Sequence, residues 1–329
     1  MLLAGDVGGT KTALAIYAFE RGPRQPLVEA TLPSAEYPSL EVMILQFLDQ
    51  TGLHISQAIF GVAGAVVNGQ AQGTNLPWLM QETQLQQVLE LTSVKLINDL
   101  EAIASAVPHL NDQDRHTINV GNPNPQGSLA IVAPGTGLGE AFLAWDGTRY
   151  RAYPSEGGHA DFAPSRPIEI GLLKYLMDQF GHVSIERVCS GKGIPNIYAY
   201  LRESGRFDEP DWLRDQLAAA DDPTPIIVNT ALSRPAESEL CVATLDTFVS
   251  ILGAEAGNMA LKVLATGGVY LGGGIPLRIL NSFEQPRFLD AFQSKGRLER
   301  LLRDMPIHII TNPKVGLMGA AYRGMELWA

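Results

Sequence analysis

Cysteine is scarce in this sequence: 329 residues hold two, Cys189 and Cys241, far apart and in no C-x-x-C pair. A disulfide framework and a cysteine zinc cluster are thereby excluded, and a reducing cytoplasm suits the usage. Positive charge is also short. The chain carries 24 Lys and Arg against 35 Asp and Glu, a formal net charge of −11. Non-specific nucleic-acid binding, which needs basic residues to neutralise phosphates, is not expected. No long apolar run opens the chain, because Asp6 interrupts it, and no stretch is expected to approach the length of a transmembrane helix. The expected protein is cytoplasmic, with no nucleic-acid or membrane partner.

What is present is an ordinary globular composition, 46% hydrophobic and 18% charged, with an abundance of glycine at 33 residues. The length suits two domains. Glycine at this level points to turns where backbone approaches a ligand.

The first such turn lies in LLAGDVGGTKTALAIY, residues 2–17. GDVGGTKT is one residue from a P-loop, with Thr10 where the pattern needs Gly. A P-loop also needs a helix after its lysine, whereas the short apolar ALAIYAF, ended by Arg21-Gly22-Pro23, reads as a strand. The stretch therefore predicts strand, tight turn, strand. SLAIVAP, GTGLG and EAFLAWDGTRYRAYP repeat that order from residue 128, which predicts two domains of one internal design.

Further elements follow from pattern. SLEVMILQFLDQ (39–50) predicts a helix, AIFGVAGAVV (58–67) a buried strand and VKLIN (94–98) another. DLEAIASAV (99–107) predicts a helix ending at Pro108, so Asn98 and Asp99 sit at a strand-to-helix junction, where open α/β sheets place ligand groups. The polar stretch 109–127 predicts a boundary and linker, and 204–225 a surface excursion. Helices are expected over 167–180, 241–265 and 315–327, a strand and a third glycine-rich turn over 266–275, and a strand at 307–311.

Three glycine turns, Gly8-Gly9-Thr10, Gly135-Thr136-Gly137 and Gly272-Gly273-Gly274, are individually ordinary turn chemistry. Together, with their Thr hydroxyls and free N–H groups, they offer the donors a polyphosphate needs in an acidic protein. Asp6, ending a buried strand beside the first turn, is either an Asx-turn residue or the neighbour of a magnesium nucleotide. Glu156 and His159 flank a Gly-Gly that allows both to converge on a small polar ligand. With so few Cys and six His, a metal site there is the weaker alternative.

The segments GDVGGTKT, LINDLEAIASAVPHL, PGTGLGEA, SEGGHADFAP, ERVCSGKG and LGGGI stand in the order and approximate spacing of the bacterial glucokinase family lacking the zinc-binding cysteine motif. The chain resembles that family over nearly its whole length. The resemblance implies an α/β, two-domain ribonuclease H-like or actin-like ATPase sugar-kinase fold with an interdomain cleft. A small domain would span 1–108 plus 315–329, and a large one 109–314. It implies ATP-dependent phosphorylation of D-glucose at O6, feeding glycolysis, with ATP and Mg²⁺ as cofactors and a homodimer as assembly. Asp99 would be the catalytic base. Asn75, Asn98, Asp99, Glu156, His159 and Glu186 would bind glucose. Asp6, Gly8, Gly9, Thr10, Lys11, Thr12, Gly135, Thr136, Gly137 and Gly272 to Gly274 would hold ATP, with Asp6 facing Mg²⁺ through water. The alternatives are a kinase for another hexose or an N-acetylated amino sugar, and a sugar-sensing regulator on a related fold.

Overall fold

Alternation along the first strand sorts side chains to two faces of a sheet. Leu3 and Val7 enter a core with Leu14, Ile16, Ile44 and Phe60, while Leu2 and Ala4 face Ile59, Leu317 and Ala320. A computed structural model describes residues 1–73 and 76–328. It divides into two compact units, Met1–Asp114 with Arg149–Pro154 and Asn312–Ala329, and Arg115–Thr148 with Ser155–Thr311. Residues 109–114, expected with the large domain, belong to the first unit. The cause is local: Asp114 accepts from Arg24 at 2.7 Å and from Asn312 at 2.9 Å.

In the first unit the sheet order is Val28–Pro33, Lys11–Tyr17, Leu2–Val7, Gln57–Val62, Ser93–Asn98. The first three strands are antiparallel neighbours and the last three run parallel. Register aligns Val7, Val62 and Asn98, so the carboxyl ends of the parallel strands finish together. Asp6 and the Asn98-Asp99 junction share that edge.

The second unit repeats the plan. Leu129–Pro134 pairs antiparallel with Leu138–Trp145 and parallel with Gly268–Leu271, which runs parallel to Ile307–Ile310. Arg115–Asn119 completes that edge, antiparallel to Ile307–Ile310. The stretch expected to be linker thus contributes a strand, which its polar composition hides because an edge strand needs only one apolar face. The surface excursion likewise contains a helix, Asp211–Ala218.

Helix Glu239–Val263 is long and apolar enough to cross a membrane, which corrects the expectation that no stretch approaches that length. Its apolar window is 83% buried in the second unit, where Phe248, Leu252 and Met259 join the core. It is a core helix.

Helix Val315–Trp328 packs on helix Asp99–Ala106 at small residues. A methyl on Gly319 would overlap the carbonyl oxygen of Ala102, so only glycine permits this approach. Gly319→Ala must push the helices apart, and overpacking of this kind costs about 1–3 kcal/mol. Urea unfolding should show a lower midpoint for the variant; an unchanged midpoint would contradict the close approach.

Candidate functional site

At the carboxyl edge of the first sheet, Asn98 caps helix Asp99–Ala106. Its Oδ1 accepts from Leu100 N at 2.9 Å and Glu101 N at 3.4 Å, and its Nδ2 donates to Gly64 O at 2.9 Å. The Asn98 side chain also hydrogen-bonds the Asp99 carboxyl, which opposes the rise in its proton affinity. Because the asparagine supplies the cap, Asp99 stands in the first turn with Oδ1 accepting from Leu100 N at 2.9 Å.

Burial raises the Asp99 carboxyl to about 6, the Leu100 N–H opposes this, and the charge of Asp6 adds to the rise. Asp6 is itself raised by burial, with Lys11 opposing. Space for Asp6 comes from Gly316, where a Cβ would lie 2.7 Å from Oδ2. The glycines of the terminal helix therefore keep two carboxyl groups near each other in a weakly solvated place.

The first hairpin turn is closed by Gly8 N donating to Lys11 O at 3.1 Å. Thr10 and Lys11 are exposed, and Gly9 is partly so. Thr12 faces inward. Its fully buried hydroxyl meets Ser34 Oγ at 2.9 Å, and Ser34 Oγ donates to Gly8 O at 2.7 Å. Thr12 thus shapes the turn from behind.

In the second unit, Gly157–His159 forms a short 3-10 turn that carries two exposed side chains. Glu156 and His159 lie 3.7 Å apart, at 74% and 64% side-chain exposure, and so are open to a ligand. Backbone bonds from Phe162 N to Val183 O and from Ile185 N to Ala160 O tie this segment to the one bearing Glu186. Glu186 Oε2 accepts from Leu138 N at 2.9 Å, next to the Gly135-Thr136-Gly137 turn. Three carboxylate and imidazole groups and one glycine turn are thereby gathered. Asn75, the remaining expected sugar residue, lies outside the described residues.

The same turn lines a cavity of about 850 Å³ with Lys192, Asp222, Thr224, Gly274 and Arg278. Its walls are tied by Gly191 N donating to Gly135 O at 2.7 Å and Thr224 Oγ1 donating to Gly191 O at 2.8 Å. Gly273, with φ of 80°, lets the chain turn against the Pro134 carbonyl. Lys192, Asp222, Thr224 and Arg278 escape sequence reasoning because each is an isolated polar residue. The only hint is the Pro-bracketed DDPTP, a turn signal.

Among the described residues no cluster of three or more His, Cys, Asp or Glu side chains is set to hold a metal ion. The partly buried Asp6 carboxylate would suit a hydrated Mg²⁺ that keeps its waters and takes other ligands from phosphate.

The family model described as Glucokinase matches residues 3–326. The glucokinase of Nostoc punctiforme is 42% identical, with 98% of each chain covered. The crystal structure of a glucokinase from an Antarctic psychrotroph superposes with a TM-score of 0.86 at 31% identity, covering 99% of this chain and 98% of that one. A ROK family glucokinase from Streptomyces griseus, solved with glucose and AMPPNP, shares the fold at a TM-score of 0.63 and 18% identity, covering 99% of both chains.

The raised Asp99 carboxyl has a stability consequence of fixed sign. Its contribution is fully present below about pH 4, the unfolded value, and is lost as pH rises through about 6. Asp99→Asn should therefore melt higher than the wild type at pH 7.5, with the gap closing towards pH 4. Scanning calorimetry across that range checks this, and a gap independent of pH would contradict the assigned carboxyl.

Proposed function

The chain belongs to the glucokinase family, and we propose that it transfers the γ-phosphoryl group of ATP to O6 of D-glucose with Asp99 as general base. The observation that carries this is the Asp99 carboxyl: capping is done by Asn98, and burial brings its proton affinity towards neutrality, near that of an effective base. As the O6–phosphorus bond forms and the bond from phosphorus to the β,γ-bridging oxygen breaks, Asp99 takes the O6 proton and ADP leaves. Catalysis is then mostly positioning and charge stabilisation.

Glu156, His159 and Glu186 would bind sugar hydroxyls, with Asn98 and Asn75 as further partners. A hydroxyl both donates and accepts, so carboxylate acceptors beside an imidazole suit it, and a missing or inverted hydroxyl leaves a partner unpaired. The exposed turn Gly8 to Lys11, shaped by Thr12, and Gly135 to Gly137 would hold phosphates through backbone N–H groups. The cavity bounded by Thr136, Lys192, Thr224, Gly274 and Arg278 has the size for a nucleoside, and Gly272 and Gly273 would lie beside it. Asp6 would face Mg²⁺ through water, and the ion would neutralise charge on the phosphoryl oxygens.

AMPPNP in the Streptomyces griseus neighbour supports ATP as donor. The buried, free Cys189 and Cys241 support a cytoplasmic location, and the family resemblance supports a homodimer.

A coupled assay tests the assignments. Asp99→Asn should lose about 10²- to 10⁴-fold in kcat, the range for a general base, while retaining glucose-dependent protection against melting. Near-normal turnover would remove Asp99 from the mechanism. In the same assay Glu156→Gln and Glu186→Gln should raise the glucose KM and leave the ATP KM almost unmoved; wild-type glucose parameters in both would refute the sugar assignments.

A further inference from the structure

The second unit buries a carboxyl group for which the proposed chemistry has no use. Glu140, on strand Leu138–Trp145, is 1% exposed, and neither carboxyl oxygen has a hydrogen-bond partner among the described residues. An orphaned, ionised carboxylate in such a place is costly. Facing it is Glu255 of helix Glu239–Val263, itself buried. Glu255 is supported from its own helix: Oε2 accepts from Asn258 Nδ2 at 3.0 Å, and Oε1 lies 3.5 Å from Lys262 Nζ.

The other groups around the pair are accounted for. Lys295 faces Glu255, but its Nζ already donates to Ala254 O at 3.0 Å and Asn258 Oδ1 at 2.7 Å. The Cys189 thiol is fully buried beside both carboxyl groups, and burial, with the charges of Glu255 and Glu140 adding to it, pushes the thiol up. Lys262 draws the Glu140 carboxyl towards ionisation, less strongly than burial and Glu255 oppose it. Two ionised carboxylates have only acceptors. One proton turns one of them into a donor and supplies the missing partner.

On its other side the Glu140 carboxyl reaches the sugar segment. Its Oε2 fills the place that a Cβ on Gly157 would take, so the group lies directly against the Gly157–His159 turn. Ser155 Oγ, which also borders that place, accepts from Gly157 N at 3.0 Å. Glu156 caps this turn and His159 ends it.

We propose that Glu140 and Glu255 share one proton beneath the Gly157–His159 turn, and that this contact makes Glu140 a positioning residue for Glu156 and His159. The proposal rests on the reading of Glu156 and His159 as sugar-binding groups. When the proton is lost, two like charges face each other in the core, the carboxyl groups separate, and the turn above loses its support. Burial and the charge of Glu255 raise Glu140 to about 7, so the loss falls within the working range of an enzyme assay. The affected parameter is the glucose KM, more than kcat, because the turn holds substrate and the proton acceptor lies elsewhere.

The test combines glucose KM between pH 6 and 8.5 with thermal melts between pH 5 and 8.5, for wild type, E140Q and E255Q. Each glutamine keeps the shape and gives the remaining carboxylate a permanent donor. Wild-type glucose KM should rise several-fold above pH 7, and the rise should vanish in both variants. The wild-type melting temperature should fall over the same range relative to E140Q, because a raised carboxyl loses its contribution as pH increases. Asp99 titrates in all three proteins and cancels in the comparison.

A wild-type KM that stays level, or a rise retained in both variants, overturns the positioning role. Parallel melting profiles overturn the shared proton. If E140Q does not fold, E255Q alone decides both points. Glu156→Gln separates the two levels of argument. An altered glucose KM in that variant with a level wild-type pH profile defeats this proposal alone. An unaltered one defeats the sugar reading and the positioning role, leaving the melts to decide the proton.

Discussion

The close approach of helix Val315–Trp328 to the first sheet is the constraint on which the candidate chemistry depends. Gly319 admits the carbonyl of Ala102 and Gly316 admits the carboxyl of Asp6, so this one helix positions both the helix that begins with Asp99 and the strand that carries Asp6. The result is two carboxyl groups in a weakly solvated environment, both raised by burial, with the charge of Asp6 adding to the rise at Asp99. Proteins of marginal stability retain such an arrangement where it serves function. In the proposed phosphoryl transfer it would supply a proton acceptor matched to neutral pH and a place for a cation.

Both units turn one local design to different uses. An antiparallel hairpin followed by parallel strands presents a glycine turn at the same end of each sheet. In the first unit the turn is braced by the buried Thr12–Ser34 contact. In the second it is braced by Glu186 at Leu138 N and by Gly191 at Gly135 O. Glu186 therefore ties the Gly135 to Gly137 turn to the segment that carries it, and in the proposed reading Glu186→Gln keeps an acceptor for Leu138 N.

Much of this was legible in sequence. Apolar runs closed by turn residues marked the strands Leu2–Val7 and Ser93–Asn98, and Pro167–Phe180 matched its periodicity from end to end. The Asn98-Asp99 junction was visible, because a strand pattern gives way there to a helical one. Which of the two caps the helix was not visible, since both residue types cap well and only the side-chain directions decide. Thr12 reads as a phosphate ligand by spacing, yet strand alternation turns it into the core. Arg115–Asn119 was hidden by polarity, and Asp222 and Thr224 by their turn-rich surroundings. Glu140 and Glu255 are 115 residues apart in sequence, and a buried pair of like charges leaves no periodic trace. Only packing shows it.

The central claim is that Asp99 takes the proton from O6 of glucose. A crystal structure with glucose and a non-hydrolysable ATP analogue tests it most directly. The account predicts an Asp99 carboxyl oxygen within about 2.6–3.2 Å of O6, the reach of a general base, with O6 in line with the γ-phosphorus. Glu156, His159 and Glu186 should meet the other hydroxyls. An O6 turned away from Asp99, with a different group as its nearest acceptor, would contradict the account.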